Sequence, residues 1–579
     1  MANMRRFLSW DPKFTQRNAE LYDAENLRLH VPPGLTRIEA FLSLRVHRLM
    51  PEQYSYAALR EFLERDLLDV GRLEETVPIR DGSQEAEKIV LLDERRDPSR
   101  LNTSSSRYWA EYAQYPPLGE SVCLKALSTK GLYDILKTER AGLGTSSPER
   151  RSIYIRDLSP LCALALVLPV SIRYAPSLRD FLSKYITARA FFGISIEYPI
   201  RPASTYTFEF HIPYYALRRS TTGMSTFKSH TNRRAGEFQA SFSLCAGDER
   251  EFFHEAQVSV LLVGIDEWVW TLYCLVETHF SESGPEDVEH YIRPGGDWDA
   301  PSGEGANYSR PVWNPREYFL LVLSRRLRQV RFEWANLVQT LETRFKILVG
   351  AESFLAMEVG ANKDDNQEED TFNGPSTARK RTDDGDLELT NDYTWAIQVL
   401  QLFSNQLIKT IEAWNEFADK HLHVFHPDET PANFLPKVQS YLESLDTDVS
   451  ELRFIYKTII RRIGTFESKR SNILNTSALV EARASNTQAD NIGLLTKVTV
   501  FYLPLGLVTA VFSMAFIPSN IHWWLYLGVL AAFTILSVTV SSNLSWLLGL
   551  STPLSLLNYL RALPKRQTTR RTKKASSIV

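Results

Sequence analysis

Two long runs without a charged residue lie near the carboxyl terminus of this 579-residue chain. The first run covers residues 498–517 and the second covers residues 523–550. As a helix, each is long enough to cross a bilayer core of about 30 Å. Buried core helices are the alternative, although a soluble helix rarely extends this far without a charged face. The pattern therefore predicts two transmembrane helices, at about 494–517 and 523–550, joined by a tight tip at 518–522.

Basic residues predict the orientation of this hairpin. The tail 551–579 carries seven lysines and arginines, whereas the tip carries none. Because positive charge favours the cytosolic side, the pattern predicts an integral, multi-pass membrane protein with both termini in the cytosol, in a membrane that the sequence does not specify. Residues 1–30 contain no apolar stretch of the kind found in a secretory signal, so we interpret them as an N-terminal tail.

The region 31–350 alternates between strand-like and helical patterns. Strand-like runs are rich in β-branched and aromatic residues; they lie at 85–93, 121–128, 151–158, 191–200, 205–212 and 257–265. A helical pattern covers 56–68, and Pro315 opens an amphipathic helix over 316–345. Together these runs predict a cytosolic α/β domain.

Two further segments separate this domain from the hairpin. Residues 357–388 are charged and poor in large apolar groups, which predicts a disordered acidic insertion. Residues 391–493 are helical in pattern, with a break near 426–436, which predicts a helical stalk of the coiled-coil type. One helix from Arg453 to Ser513 would be about 90 Å long.

Composition mainly excludes functions. Lys and Arg total 66 against 69 Asp and Glu, so no global basic excess indicates nucleic-acid binding. The four cysteines form no CxxC pair, which argues against a disulfide framework or a thiolate zinc site. No nucleophile elbow, P-loop, dinucleotide fingerprint or HExxH motif is present, so we expect no enzyme and no catalytic residues. His421, His423 and His426 are candidate metal ligands, with a polar helix terminus as the alternative.

A stripe of small residues crosses the first apolar run. Positions separated alternately by four and three residues share one face of a helix. On this face they are Ile492, Thr496, Thr499, Leu503, Gly506, Ala510 and Ser513. Such a stripe suits either helix packing or a water-filled axis. Because two helices cannot enclose a path, a pore would require several chains.

The region 489–516 resembles the CorA superfamily of divalent metal ion (magnesium or zinc) transporters, in its divergent filamentous-fungal form. The resemblance rests on the long helix entering the first run, on Pro504 within it, on Met514 near its end, and on the short tip and basic tail. Residues 255–280 and 316–338 also look like these proteins. The resemblance implies a homopentamer in a lipid bilayer, with the seven stripe residues lining a pore. It also implies a divalent cation, Mg²⁺ or another, as the transported or regulatory ion.

The pore-mouth motif marks a departure from that family. Its Gly-Met-Asn pattern corresponds by position to Ser513, Met514 and Ala515. Ala515 has no side-chain oxygen that could receive the waters of a hydrated Mg²⁺. Two functions therefore remain open. One is a passive, oligomeric transporter or channel for divalent cations with a degenerate pore mouth; the other is a non-conducting membrane scaffold or sensor of CorA-like architecture.

Overall fold

The chain divides into two units in a computed structural model. The first comprises 1–379 with 387–470, and the second comprises 380–386 with 471–579. The structure describes residues 10–17, 27–44, 56–67, 73, 87–95, 123–138, 140, 148–200, 203–220, 230–231, 233–238, 250–278, 288–291, 298–305, 311–361, 376–425, 434–513 and 523–549.

One mixed sheet organises the first unit. Its strands are β1 (Val90–Arg95), β2 (Cys123–Leu127), β3 (Arg150–Arg156), β4 (Phe191–Ile200), β5 (Ala203–Ser220), β6 (Ala235–Glu237), β7 (Arg250–Gly264) and β8 (Trp270–Val276). The strand order is β2-β1-β3-β8-β7-β5-β4, and β6 pairs with β7. All neighbouring strands are antiparallel except β3 and β8, which are parallel.

The helices are α1 (Arg37–Leu42), α2 (Ala57–Glu64), α3 (Thr129–Lys137), α4 (Pro160–Val167), α5 (Ala175–Ile186), α6 (Pro315–Ala361), α7 (Ser376–His421), α8 (Phe434–Phe512) and α9 (Trp523–Gly549). Side chains fix several of their starts. Thr36 and Glu39 form a reciprocal capping box on α1. The Asn314 side chain accepts hydrogen bonds from the backbone N–H of Arg316 and Glu317, so α6 begins at Pro315 as the sequence predicts.

Alternation along β5 creates the layers of the first unit. One face carries Tyr206, Phe208 and Phe210, all buried; the rings of Phe208 and Phe210 lie 5.2 and 5.7 Å from Phe319 of α6. The opposite face carries polar side chains that α5 covers. A large apolar cluster of α1–α5 with β1, β3 and β7 completes that side. The sheet therefore lies between two helical layers, and the predicted α/β domain is present.

The predicted acidic insertion is not confirmed where the structure describes it. Helix α6 extends to Ala361 and α7 begins at Ser376, so 357–361 and 376–388 are helical. Lys, Arg, Leu and Glu are good helix formers, which explains why a charged segment can still be helical. Residues 362–375 lie outside the described residues.

The predicted transmembrane hairpin is contradicted. Among the residues that the structure describes, no helix combines the length and the apolarity needed to cross a membrane. In α8, only the fifteen residues 498–512 follow Lys497, which is about 22 Å of helix against a core of about 30 Å.

This finding also corrects the predicted location. A multi-pass membrane protein with both termini in the cytosol requires two such helices, and the described residues contain none. The membrane-transport character inferred from the hairpin loses its structural support in the same way. The tip at 518–522 and the basic tail at 551–579 lie outside the described residues.

Candidate functional site

The seven residues predicted to line a pore all fall at one end of α8. Six of them lie within the helix, and Ser513 follows its last residue. All seven are exposed, including the large side chains of Ile492 (56%) and Leu503 (69%). By contrast, Val508 on another face of the same helix is only 3% exposed. The chain thus covers Val508 but leaves the predicted stripe uncovered. Met514 and Ala515 lie outside the described residues.

The same spacing continues further toward the start of the second unit. Six more residues extend the series in steps of three and four: Ser471, Asn475, Ala478, Ala482, Ser485 and Ala489. All six are exposed and none is charged. We call these thirteen residues, from Ser471 to Ser513, the α8 stripe. A period of 3.5 residues keeps such a stripe facing a partner when helices supercoil with a left hand.

Large apolar side chains flank the α8 stripe on both sides. They are Leu474, Leu479, Leu495, Tyr502 and Leu507, and each is more than half exposed. The charged residues of this part of α8 all fall outside the stripe: Glu481, Arg483, Asp490 and Lys497. Arg483, Asp490 and Lys497 lie about 130° around the helix from the middle of the stripe, whereas Glu481 shares the flanking position of Leu474 and Leu495. A largely apolar exposed surface of this kind is typical of an association surface.

A second constellation lies in the first unit, where α5 covers the sheet. We call it the polar layer; it comprises Lys184, Tyr185, Glu209, His211, Arg233, Gln257, Ser259 and Glu277. Glu277 is its most heavily bonded member. It accepts hydrogen bonds from Arg233 Nε (2.8 Å), Thr231 Oγ1 (2.8 Å), Tyr185 OH (3.1 Å) and the backbone N–H of Gln257 (2.9 Å).

His211 lies between an acid and a hydroxyl in this layer. Its Nε2 is 2.8 Å from Glu209 Oε1, and its Nδ1 is 2.8 Å from Ser259 Oγ. The order acid, imidazole, hydroxyl is that of nucleophilic hydrolases. However, His211 and Ser259 are both fully buried, and Ser259 Oγ also accepts a hydrogen bond from Gln257 Nε2 (2.7 Å). A substrate therefore cannot reach the Ser259 hydroxyl, and in this structure the arrangement is a buried hydrogen-bond network.

Electrostatics in the layer favour a charged glutamate and a neutral histidine. Burial alone would raise the pKa of Glu209, but Lys184, 2.6 Å away, and the hydrogen bond from His211 outweigh it and lower that pKa to about 2. Burial lowers the pKa of His211, and the contact with Glu209 opposes this only in part. The imidazole is therefore neutral near pH 7.

The candidate metal ligands are not brought together in the described residues. His421 is the last residue of α7, His423 lies in the following short turn, and His426 falls outside the described ranges. No group of three potential metal-ligating side chains occurs where the structure describes the chain. The thiol of Cys162 is also unsuited to chemistry, because burial raises its pKa to about 12.

Comparison with known proteins yields no match: no protein-family model and no curated protein sequence matches the chain. The resemblance to CorA therefore stays a prediction from the residues quoted for it.

Sequence reasoning missed two parts of these sites. The first half of the α8 stripe could have been found, because its spacing simply continues that of Ile492 to Ser513. The polar layer left a weaker signal: the alternate residues Thr205, Thr207, Glu209 and His211 are polar within a strand-like run.

Proposed function

We propose that this chain is a non-catalytic, self-assembling scaffold or sensor protein, whose copies associate through the α8 stripe. Each copy contributes one α/β domain to the assembly. The observation that supports this function is a series of thirteen uncharged, exposed and mostly small residues at 3.5-residue spacing. The number of copies, five, is suggested by the resemblance to CorA alone.

The residue types in the stripe favour close packing of parallel copies. Ala478, Ala482 and Ala489 allow two helix backbones to approach closely, as small residues do in other helix interfaces. In parallel coiled coils, the positions beside the contact seam cover it. Here those positions carry the exposed large side chains of Leu474 and Leu495. Association would therefore remove from water an apolar surface that a single chain leaves exposed.

Divalent-cation transport, the leading expectation from the sequence, stays a prediction that no comparison tests. It depends on membrane-crossing helices, which the described residues do not provide. The scaffold or sensor function requires only the association surface and the α/β domain.

An alanine-to-glutamate pair of variants tests the association surface. Ala482→Glu is expected to raise the dissociation constant of the assembly at least about 100-fold, because burying unpaired charges at a shared axis costs several kcal/mol. Ala484 lies about 130° around the helix from the middle of the stripe, at 3.5 residues per turn, so Ala484→Glu should assemble like the native chain. Light scattering coupled to size-exclusion chromatography, in a mild detergent that disperses exposed apolar helices, measures both. A native chain that is monomeric at micromolar concentration would refute the proposal.

Disulfide trapping tests whether the copies are parallel. In a variant with all four native cysteines replaced by serine, Ser485→Cys should place two thiols close together across the interface. Thr487→Cys lies on the opposite side of the helix and should stay uncoupled. Denaturing gels after mild oxidation should show most of the first variant, and under a tenth of the second, as a covalent dimer. Equal coupling of both variants would contradict a parallel arrangement through this stripe.

A further inference from the structure

The hydrogen bonds around His211, as the structure arranges them, fit a neutral imidazole. Nε2–H donates to Glu209 Oε1, so Nδ1 must accept. Two donors lie near Nδ1: the Ser259 hydroxyl at 2.8 Å and the Gln257 side-chain amide Nε2 at 3.1 Å. A proton on Nδ1 would face the N–H groups of that amide. The other amide atom, Gln257 Oε1, is buried without a hydrogen-bond partner in the described residues.

The charges around His211 balance only when the imidazole is neutral. The charged groups that face it come from several elements: Lys184 of α5, Glu209 of β5, Arg233 before β6, and Glu277 after β8. Lys184 pairs with Glu209 at 2.6 Å, and Arg233 pairs with Glu277 at 2.8 Å. Tyr185 adds no charge, because burial, with the help of Glu277, raises its pKa well above 10. An imidazolium would therefore introduce an uncompensated positive charge at a fully buried position.

Helix α5 is the element that this charge would disturb. Lys184 and Tyr185 are bound to Glu209 and Glu277, and the ring of Phe181 lies 5.0 Å from the imidazole. A protonated His211 would be a desolvated positive charge and would repel Lys184, which binds the other oxygen of the Glu209 carboxylate. Opening α5 would admit water to the imidazolium and relieve both effects.

We propose that protonation of His211 at acidic pH releases helix α5 from the sheet. With a neutral imidazole, α5 stays packed on the sheet; when Nδ1 takes up a proton, α5 moves away from the polar layer. The device responds to the pH of the surroundings in the range where histidine titrates.

The direction and size of the response follow from linkage. The pKa of His211 is lowered in the closed state by burial, whereas a hydrated histidine titrates near 6.5. The open state therefore binds more protons below about pH 6.5, and the closed state loses its advantage as the pH falls through that value. The largest rise in the open-state population that this linkage allows between pH 7.5 and 5.5 is about tenfold, reached when the closed state takes up no proton in that range.

Hydrogen–deuterium exchange of the full chain, read by mass spectrometry on peptides from α5, tests the proposal. After correction for intrinsic exchange rates, the native protein should exchange in α5 up to about tenfold more readily at pH 5.5 than at pH 7.5. His211→Gln removes the titrating group and should exchange equally at both pH values. A response of native size that persists in His211→Gln would overturn the proposal.

Two further variants keep the test decisive if His211→Gln folds poorly. Gln257→Glu places a carboxylate beside Nδ1, so the closed state can take up the proton and the response should fall to about twofold or less. His254→Gln is the matched control, because His254 is another buried histidine on β7 and should leave the response intact. Three results would each show that His211 does not control the release of α5. They are a native response below twofold, an undiminished response in Gln257→Glu, and loss of the response in His254→Gln.

Discussion

Replacing Glu277 by alanine is expected to lower the free energy of unfolding of the α/β domain by about 4 kcal/mol. The substitution leaves the Arg233 guanidinium, whose side chain is 3% exposed, without its buried counter-charge. It also leaves the hydroxyls of Thr231 and Tyr185 and the N–H of Gln257 without their shared acceptor. Removing one partner of a buried ion pair costs more than the pair contributes, because the remaining charge is desolvated and unpaired.

The midpoint of urea unfolding, followed by tryptophan fluorescence, measures this loss. Glu237→Ala is the matched control on the same sheet, since Glu237 and Arg250 form a 3.3 Å pair in which both side chains are exposed. That change should stay within about 0.5 kcal/mol. Adding Arg233→Met to Glu277→Ala should restore part of the stability. A loss below about 1 kcal/mol in Glu277→Ala would show that water reaches Arg233.

Phe403→Ala is expected to destabilise the same domain by about 3–5 kcal/mol through the cavity that it leaves. Phe403 is fully buried and brings α7 onto the sheet and α6. Its ring centroid lies 4.9 Å from that of Tyr215, 5.4 Å from that of Phe253 and 5.9 Å from that of Trp334. Few rearrangements can fill a space enclosed by three aromatic rings on different elements.

The unfolding midpoint again provides the measurement. Phe454→Ala on α8 is the control, because Phe454 is 68% exposed and its truncation opens no cavity. That variant should unfold within about 0.5 kcal/mol of the native chain. Similar losses in both variants would mean that the aromatic cluster is not the source of the effect.

The sequence predicts elements with a clear period and a clear boundary. Helix α6 is an example, because Pro315 marks its start and its apolar positions recur with helical spacing. For β5, the strand-like run in the sequence covers only 205–212. In the structure Pro213 pairs with Gln257 inside the strand, which continues to Ser220. Pairing with β7 therefore extends β5 beyond the run that the sequence pattern indicates.

Strand β8 could not be recognised for a different reason. Every residue from Trp270 to Val276 is buried, so the segment is apolar on both faces and shows no alternation. A short run of this kind cannot be distinguished from a buried helix by its period. The absence of charge over 498–517 and 523–550 also favours the wrong structure, because α8 ends at Phe512, inside the first of these runs.

The two candidate sites differ in how far the sequence predicts them. The α8 stripe is a local pattern on one helix, so its spacing is visible in the sequence. The polar layer depends on the pairing of His211 with Ser259 across β5 and β7, and on α5 covering both. That register follows from tertiary packing and is not visible in any single segment.

The parallel pairing of β3 with β8 also bears on how the protein is made. Arg150 pairs with Trp270 and Arg156 with Val276, so the two strands are 120 residues apart in the chain. At 5–20 residues per second, a ribosome needs roughly 6–24 s to synthesise the residues between them. During that interval β1, β2 and β3 form at most a three-stranded piece whose β3 edge is open. Closing so long a loop is also slow. The nascent chain therefore passes through a period in which this edge can pair with other chains, and its yield in a cell depends on how well that edge is shielded until β8 emerges.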